Sequence, residues 1–102
     1  MLQSVLCGPI YYANSIVDAR RVFNRDSIDI VIANLQLPDA CGFEVVRLFL
    51  KLMPRGKVII TSGFSRDMIE IPPEFSGCVF LQKPFSPRAL RSVLREFGCA
   101  IM

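Results

Sequence analysis

Residues 28–42, with the sequence IDIVIANLQLPDACG, decide the fold expected for this chain. The near-continuous apolar run at residues 28–33 ends at Asn34, and such a run is typical of a strand buried on both faces of a parallel sheet. Residues 37–42 are rich in turn formers, and residues 43–53 then show apolar positions at helical spacing. The stretch therefore predicts a central strand, a tight connection and a helix.

Short β-branched runs alternate with stretches of helical period along the rest of the chain. Strands are predicted at residues 9–13, 28–33, 57–61 and 78–81, and helices at residues 16–23, 43–53, 65–70 and 87–97. Helices of this length between strands imply parallel pairing through right-handed crossovers, hence an α/β fold with a doubly wound parallel sheet. Pro9 places the first strand at an edge, because proline cannot donate to a ladder. Asn14 or Ser15 is expected to cap the first helix, while Ser86 is expected to cap the last helix and Gly98 to end it.

The composition fits one folded domain over residues 1–102. The chain is 52% apolar and 21% charged, which is enough for one hydrophobic core at a length too short for two domains. Its 4 cysteines lie far apart without a CxxC pair, and the chain has no histidine. No zinc or haem site is therefore expected, and the cysteines are predicted to be buried or half-buried reduced thiols.

Charge and hydropathy argue against two classes of partner. The net charge of +3 is modest, and Arg88, Arg91 and Arg95 lie at helical spacing opposite Leu90 and Leu94. That arrangement is typical of the solvated face of a helix, so no nucleic-acid partner is expected. No apolar run approaches the roughly 18 to 20 residues of a membrane span, and the first residues do not resemble a secretory signal. We expect a cytoplasmic protein without membrane contact.

Three polar residues stand where predicted strands end. Asn34 ends the second strand, Thr61 ends the third, and Lys83 follows the fourth. In doubly wound parallel sheets, ligands bind in the crevice outside the carboxyl ends of the strands. We therefore expect these three side chains at one edge of the sheet, in the place where a functional site would lie.

Three segments of the chain resemble the receiver domain of two-component response regulators. Residues 29–42 (DIVIANLQLPDACG) resemble its third strand, its phosphoacceptor position and the turn that follows. Residues 57–63 (KVIITSG) and 80–85 (FLQKPF) resemble its fourth and fifth strands, and the resemblance extends over residues 8–98. It implies a flavodoxin-like, receiver-like parallel sheet that is shortened to about four strands, because the first strand of the family is missing.

The resemblance also implies roles for individual residues. It places Asn34 where the family has the aspartate that accepts a phosphoryl group from a histidine kinase. An amide oxygen is a far poorer nucleophile than a carboxylate, so Asn34 is not expected to be phosphorylated. Thr61 and Phe80 resemble the family's switch residues, and Lys83 resembles the cation that pairs with the phosphoryl group. The bond between Lys83 and Pro84 is expected to be cis, as it often is in the family.

The family's first strand ends in two acidic residues that hold Mg²⁺, and this chain resembles the family only from a later point. Residues 2–7 look like the tail of the first helix, so neither a metal site nor a cofactor is expected. In the family's strand order 2-1-3-4-5, the missing strand lies between those predicted at residues 9–13 and 28–33, which would leave an empty central position. Three arrangements would each fill this position in the sheet: a strand from a partner subunit, the first strand of this chain moved into the gap, or residues 2–7 in extended form. We favour a partner subunit, in a homodimer or higher homo-oligomer.

Structural roles compete with functional ones at this edge. The Asn34 side chain is expected to cap the following turn, and the hydroxyls of Thr61 and Ser62 are expected to form hydrogen bonds within the local turn. These expectations need no ligand.

The favoured function is a non-enzymatic interaction module, a degenerate receiver that contacts a protein partner through its last strand and helix. One alternative is a phospho-switch whose acceptor is another residue, such as Asp39 or Ser62. A further alternative is a folded fragment without a selected function, since a fold alone does not imply one.

Overall fold

The computed structural model describes residues 9–97. In chain order, its elements are β1 (Ile10–Ala13), α1 (Ile16–Arg25), β2 (Ile30–Asn34), α2 (Gly42–Leu52), β3 (Lys57–Ser62), two short 3-10 helices (Arg66–Met68 and Pro73–Phe75), β4 (Val79–Gln82) and α3 (Pro87–Glu96). The predicted strands and the three longer helices are confirmed, with small shifts at their ends. Residues 2–7 and the predicted helix stop at Gly98 lie outside the described residues.

The four strands form one parallel sheet in the order β1-β2-β3-β4. β1 lies at an edge, as the proline before it predicted, and β2 lies between β1 and β3. All of β2 except Asn34 is buried, because its alternate side chains enter hydrophobic cores on opposite faces of the sheet. The central position predicted for this strand is confirmed.

The empty position expected between the first two strands is absent. β1 pairs directly with β2 over its whole length, with Ile10 opposite Ile30 and Ala13 opposite Ala33. Of the three ways considered to complete the sheet, the chain uses the second: its own first strand takes the place beside β2. This pairing gives hydrogen-bond partners to the backbone N–H and C=O groups on that side of β2. A partner subunit was favoured because those groups were expected to be exposed.

Helices cover both faces of the sheet, so the predicted α/β layering is confirmed. On one face, α1 and α2 enclose the larger core, which includes Ala19, Val22, Val45, Val46 and Phe49. On the other face, α3 contributes Val93 and Leu94 to a smaller core with Ile30, Ile32 and Ile59. Within residues 9–97, no helix has both the length and the apolar character needed to span a membrane.

Hydrogen bonds and an aromatic contact fasten β1 to α1. The Tyr11 hydroxyl donates to Asp18 over 2.6 Å, and Arg21 donates to the other oxygen of the same carboxylate. The Tyr11 ring also meets Phe23 edge to face, with 5.7 Å between the ring centroids. Burial and the neighbouring carboxylate raise the pKa of Tyr11, because both disfavour the phenolate. The strand and helix therefore form one unit beside β2.

Side-chain caps set the starts of α1 and α3. Sequence analysis left Asn14 and Ser15 as candidates for the first cap, and Ser15 fills it by accepting the Asp18 N–H at 3.1 Å. Ser86 caps α3 as predicted, since its hydroxyl oxygen accepts the Ala89 N–H at 3.1 Å.

The helix predicted at residues 65–70 is wrong, because only the 3-10 helix Arg66–Met68 forms there. Ile71 precedes Pro72, and a residue before proline is disfavoured in the α region, so a helix starting at Ser65 has no room to extend. The connection is instead held by Phe75, which is buried and stacks on Phe43 of α2 at a centroid distance of 5.0 Å.

Gly42 allows α2 to start close to the end of β2. A Cβ atom at this position would collide with the Asn34 carbonyl oxygen and lie 2.8 Å from Leu35 Cα. The Gly42 N–H also donates to the Leu35 carbonyl oxygen over 2.7 Å. The backbone therefore folds back on itself at the point where Asn34 leaves the sheet, and only glycine fits there.

We predict that Gly42→Ala lowers the free energy of unfolding by roughly 1 to 3 kcal/mol, because the added methyl group must displace backbone atoms. Chemical denaturation monitored by circular dichroism measures the change. Gly63→Ala is the matched control, since nothing lies within 4 Å of a Cβ at Gly63, and its effect should stay within about 0.5 kcal/mol. Equal effects of the two substitutions would contradict the close approach at Gly42.

Candidate functional site

Strand register brings Asn34, Thr61 and Lys83 to one face at the carboxyl edge of the sheet. Asn34 lies opposite Thr61, and Thr61 lies opposite Leu81, two residues before Lys83. Because side chains alternate along a strand, all three lie on the face covered by α3, together with Ile32, Ile59 and Leu81. Their predicted clustering at this edge agrees with the topology.

The backbone of the chain ties the ends of these strands together. The Leu35 N–H donates to the Thr61 carbonyl oxygen over 2.8 Å, and the Lys83 N–H donates to the Ser62 carbonyl oxygen over 2.7 Å. The peptide bond between Lys83 and Pro84 is cis, as predicted. The two hydrogen bonds fix the backbone positions from which the Asn34 and Lys83 side chains extend.

The Asn34 side chain takes part in the turn that follows β2. Its Oδ1 atom accepts the Gln36 N–H in a long hydrogen bond of 3.4 Å. An Asx turn of this kind is the structural role expected for the residue. The Asn34 amide is half-buried and is engaged with the local backbone. A nucleophile at this position would instead have to be exposed to a phosphodonor.

The hydroxyls of Thr61 and Ser62 differ from each other, although both residues are fully buried. The Ser62 Oγ atom accepts the Phe64 N–H at 3.0 Å, which is the local bond expected for it. The Thr61 Oγ1 atom has no hydrogen-bond partner in the described part of the chain, so the local bond expected for Thr61 is absent. A buried hydroxyl without a partner costs free energy.

Phe80 lies apart from the polar residues. It is half-buried and packs against the larger core, on the face covered by α1 and α2. Thr61 and Lys83 are on the opposite face, because Phe80 precedes Leu81 and alternation sends their side chains in opposite directions. The two residues that resemble the family's switch therefore project from opposite faces of the sheet.

Asp39 has a role that sequence analysis missed. Both of its carboxylate oxygens accept backbone N–H groups at the start of α1, from Ile16 at 2.9 Å and from Val17 at 3.3 Å. The bond from Ile16 is the main reason why the pKa of Asp39 lies below its usual range. An acidic residue in a turn gave no signal of this contact, because its partners are more than 20 residues away.

The cysteines and acidic residues of residues 9–97 form no metal site. No three His, Cys, Asp or Glu side chains come together in this part of the chain. Cys78 is half-buried, as predicted, and burial raises the pKa of its thiol. Cys41 is exposed, so its predicted burial is wrong: it lies just before α2, in a turn on the surface. Cys7 and Cys99 lie outside the described residues.

Sequence comparison relates the chain to response regulators. No protein-family model matches it. A protein of Arabidopsis thaliana named as a two-component response regulator is 26% identical over 73 residues, which is 72% of this chain. The match spans 17% of the relative's length.

Solved structures of receiver domains have the same fold. One from Clostridium thermocellum superimposes with a TM-score of 0.69 at 28% identity, and covers 82% of this chain and 69% of its own. A CheY-like receiver from Methanospirillum hungatei gives 0.63 at 17% identity, with 86% and 90% covered. A response regulator from Burkholderia pseudomallei, with a phosphorylated aspartic acid and a calcium ion, gives 0.71 at 12% identity, with 85% and 66% covered.

We predict that Thr61→Val raises the free energy of unfolding by about 1 kcal/mol, because it removes a buried hydroxyl that lacks a partner. Ser62→Ala is the contrasting variant and should lower the same quantity by about 1 kcal/mol, since it removes the acceptor of the Phe64 N–H. Denaturant titration of both proteins measures the difference. A loss of stability in Thr61→Val would show that its hydroxyl is bonded, for example to a buried water molecule.

We predict that the stability contributed by Asp39 depends on pH. Because its pKa is lowered in the folded state, the contribution is fully present above the ordinary aspartate pKa of 3.8 and is lost as the pH falls through the lower folded value. Thermal melting of the wild-type protein and Asp39→Asn at several pH values should show a difference that shrinks below about pH 4.

Ser15→Ala is the control for this titration, because Ser15 caps the same helix with a neutral hydroxyl. Its cost, about 1 kcal/mol, should not change over the same pH range. A difference between the wild type and Asp39→Asn that stays constant down to pH values near 2, on the order of two units below the usual value, would contradict the role given to Asp39.

Proposed function

We propose that this chain, a relative of the receiver domains of response regulators, is an interaction module of two-component signalling that does not accept a phosphoryl group. It has the receiver fold, and receiver domains are generally signalling modules without an enzymatic activity of their own. The observation that supports the proposal is the amide of Asn34, which stands at the carboxyl end of β2 and is engaged in a turn.

The chemistry of phosphoryl acceptance supports this view. A carboxylate attacks phosphorus to form an acyl phosphate, whereas the amide of Asn34 has no charge and little nucleophilicity. Phosphoryl transfer also uses a metal ion to neutralise developing charge, and no acidic cluster that could hold one occurs among residues 9–97. Lys83 and Thr61 stand at the same edge, but neither side chain is a carboxylate.

The alternative acceptors are both occupied in other ways. Asp39 uses both carboxylate oxygens at the start of α1, so a phosphoryl group there would displace the cap of that helix. Ser62 is fully buried and its hydroxyl oxygen already accepts a backbone N–H. Neither residue is placed to receive a phosphoryl group without local rearrangement.

The last strand and helix supply the surface proposed for a protein partner. β4 is the second edge of the sheet, and Arg88, Arg91 and Arg95 are exposed along α3. Two exposed apolar side chains, Phe64 and Met68, lie in the connection that leads to β4. Apolar and arginine side chains are the types enriched at protein interfaces. Self-association into a homodimer is part of the same proposal.

Incubation with acetyl phosphate and Mg²⁺, followed by intact-protein mass spectrometry, tests the central point. We expect no mass gain of one phosphoryl group, while a receiver domain that carries the aspartate gains one under the same conditions. A mass gain in the wild-type chain would contradict the proposal. Its loss in Asp39→Asn or in Ser62→Ala would then identify the acceptor.

A further inference from the structure

The outer edge of β1 carries backbone groups that no described strand pairs with. The Ile30 N–H donates to the Pro9 carbonyl oxygen, and Ile10 is the residue opposite Ile30. In a parallel ladder of this register, the backbone groups of every second residue point to the neighbouring strand and those between them point away. The N–H and C=O groups of Ile10 and Tyr12 therefore face outward.

The same two residues expose their side chains. Ile10 is 40% exposed and Tyr12 is 42% exposed, although both lie on the face of the sheet whose core contains Ile30 and Ile32. On this face the core formed with α3 takes its strand residues from β2, β3 and β4. Within residues 9–97, the outer edge of β1 thus combines unpaired backbone groups with apolar side chains, which is the pattern of a strand that pairs with another chain.

We propose that the open edge of β1 pairs antiparallel with β1 of a second copy of this chain, with the two-fold axis at Tyr11. This inference rests on the self-association that forms part of the proposed function, and it assigns the surface. The product is a continuous eight-stranded sheet formed from two four-stranded sheets.

The strand is complementary to itself in this register. Centring the axis on Tyr11 places Ile10 opposite Tyr12 of the partner subunit, and each pair exchanges two N–H to O=C hydrogen bonds through the outward groups. The side chains of each pair lie on the same face, and a β-branched residue opposite an aromatic one is a favourable cross-strand pair. In a register shifted by one residue, the outward N–H and C=O groups of Ile10 and Tyr12 would lie opposite residues of the partner strand whose own backbone groups already bond to β2.

Charge and length set the expected strength of this contact. Residues 9–13 carry no charged side chain, so two copies of the strand do not repel each other. β1 has 4 residues, far fewer than the roughly 20 to 30 a side of a standard interface. We therefore expect a reversible dimer with a dissociation constant in the micromolar range or weaker, rather than a permanent one.

Sedimentation equilibrium from micromolar to millimolar concentration tests the proposal. It compares the full chain with two variants that introduce opposite charges in β1 and with a mixture of the two. Ile10→Lys and Tyr12→Asp should each weaken the homodimer by roughly tenfold or more, because each places charge beside an apolar partner. An equimolar mixture of the two variants should dimerise again, since the introduced lysine of one chain then faces the introduced aspartate of the other in one of the two pairs. Circular dichroism confirms that each variant is folded.

Leu52→Lys is the matched control, because it adds the same charge at a side chain that is 47% exposed and lies at the end of α2, outside β1. It should leave the dissociation constant unchanged. A dimer that survives Ile10→Lys and Tyr12→Asp would overturn pairing through β1 but leave self-association in place. A wild-type chain that stays monomeric at every concentration would overturn both, and neither result bears on phosphoryl acceptance, which the mass measurement tests separately.

Discussion

The pairing of β1 with β2 is the contact on which the rest of the structure depends. It satisfies one side of the buried central strand, and β1 brings α1 with it through the bond from Tyr11 to Asp18. α1 then packs against α2 across the larger core, where Phe23 meets Phe49 at a centroid distance of 5.3 Å. Without β1 in this position, β2 would be an exposed edge and α1 would have no anchor on the sheet.

Asp39 connects α1 to the carboxyl edge of the sheet, where Asn34 and Thr61 lie. Its carboxylate joins the turn after β2 to the start of α1, and Gly42 folds the same turn tightly against Asn34. The turn after β2 is therefore held by contacts within the chain. Asn34 fits this environment, since an amide can accept a backbone hydrogen bond without the cost of burying a charge.

Local patterns were enough to predict most of the fold and the placement of the site residues. The apolar run before Asn34, the cap at Ser86 and the proline before β1 each depend on nearby residues, and each was interpreted correctly. The errors arose where distant residues decide the outcome. The direct pairing of β1 with β2, the cap that Asp39 provides and the missing bond of Thr61 depend on tertiary contacts, which spacing along the chain does not reveal.

The direct pairing of β1 with β2 follows from the periodicity of strands. A parallel strand beside β2 must present alternate side chains to the two cores, and any segment with that pattern meets the requirement. In β1, Tyr11 and Ala13 supply the core side chains on the face covered by α1 and α2. Ile10 and Tyr12 supply the other face but remain exposed, because the core formed there with α3 draws on the remaining three strands. The pairing of β1 thus completes the ladder of β2, and among residues 9–97 it leaves an unpaired edge with apolar side chains on the outside of β1, which is why a second chain is expected to bind there and not inside the sheet.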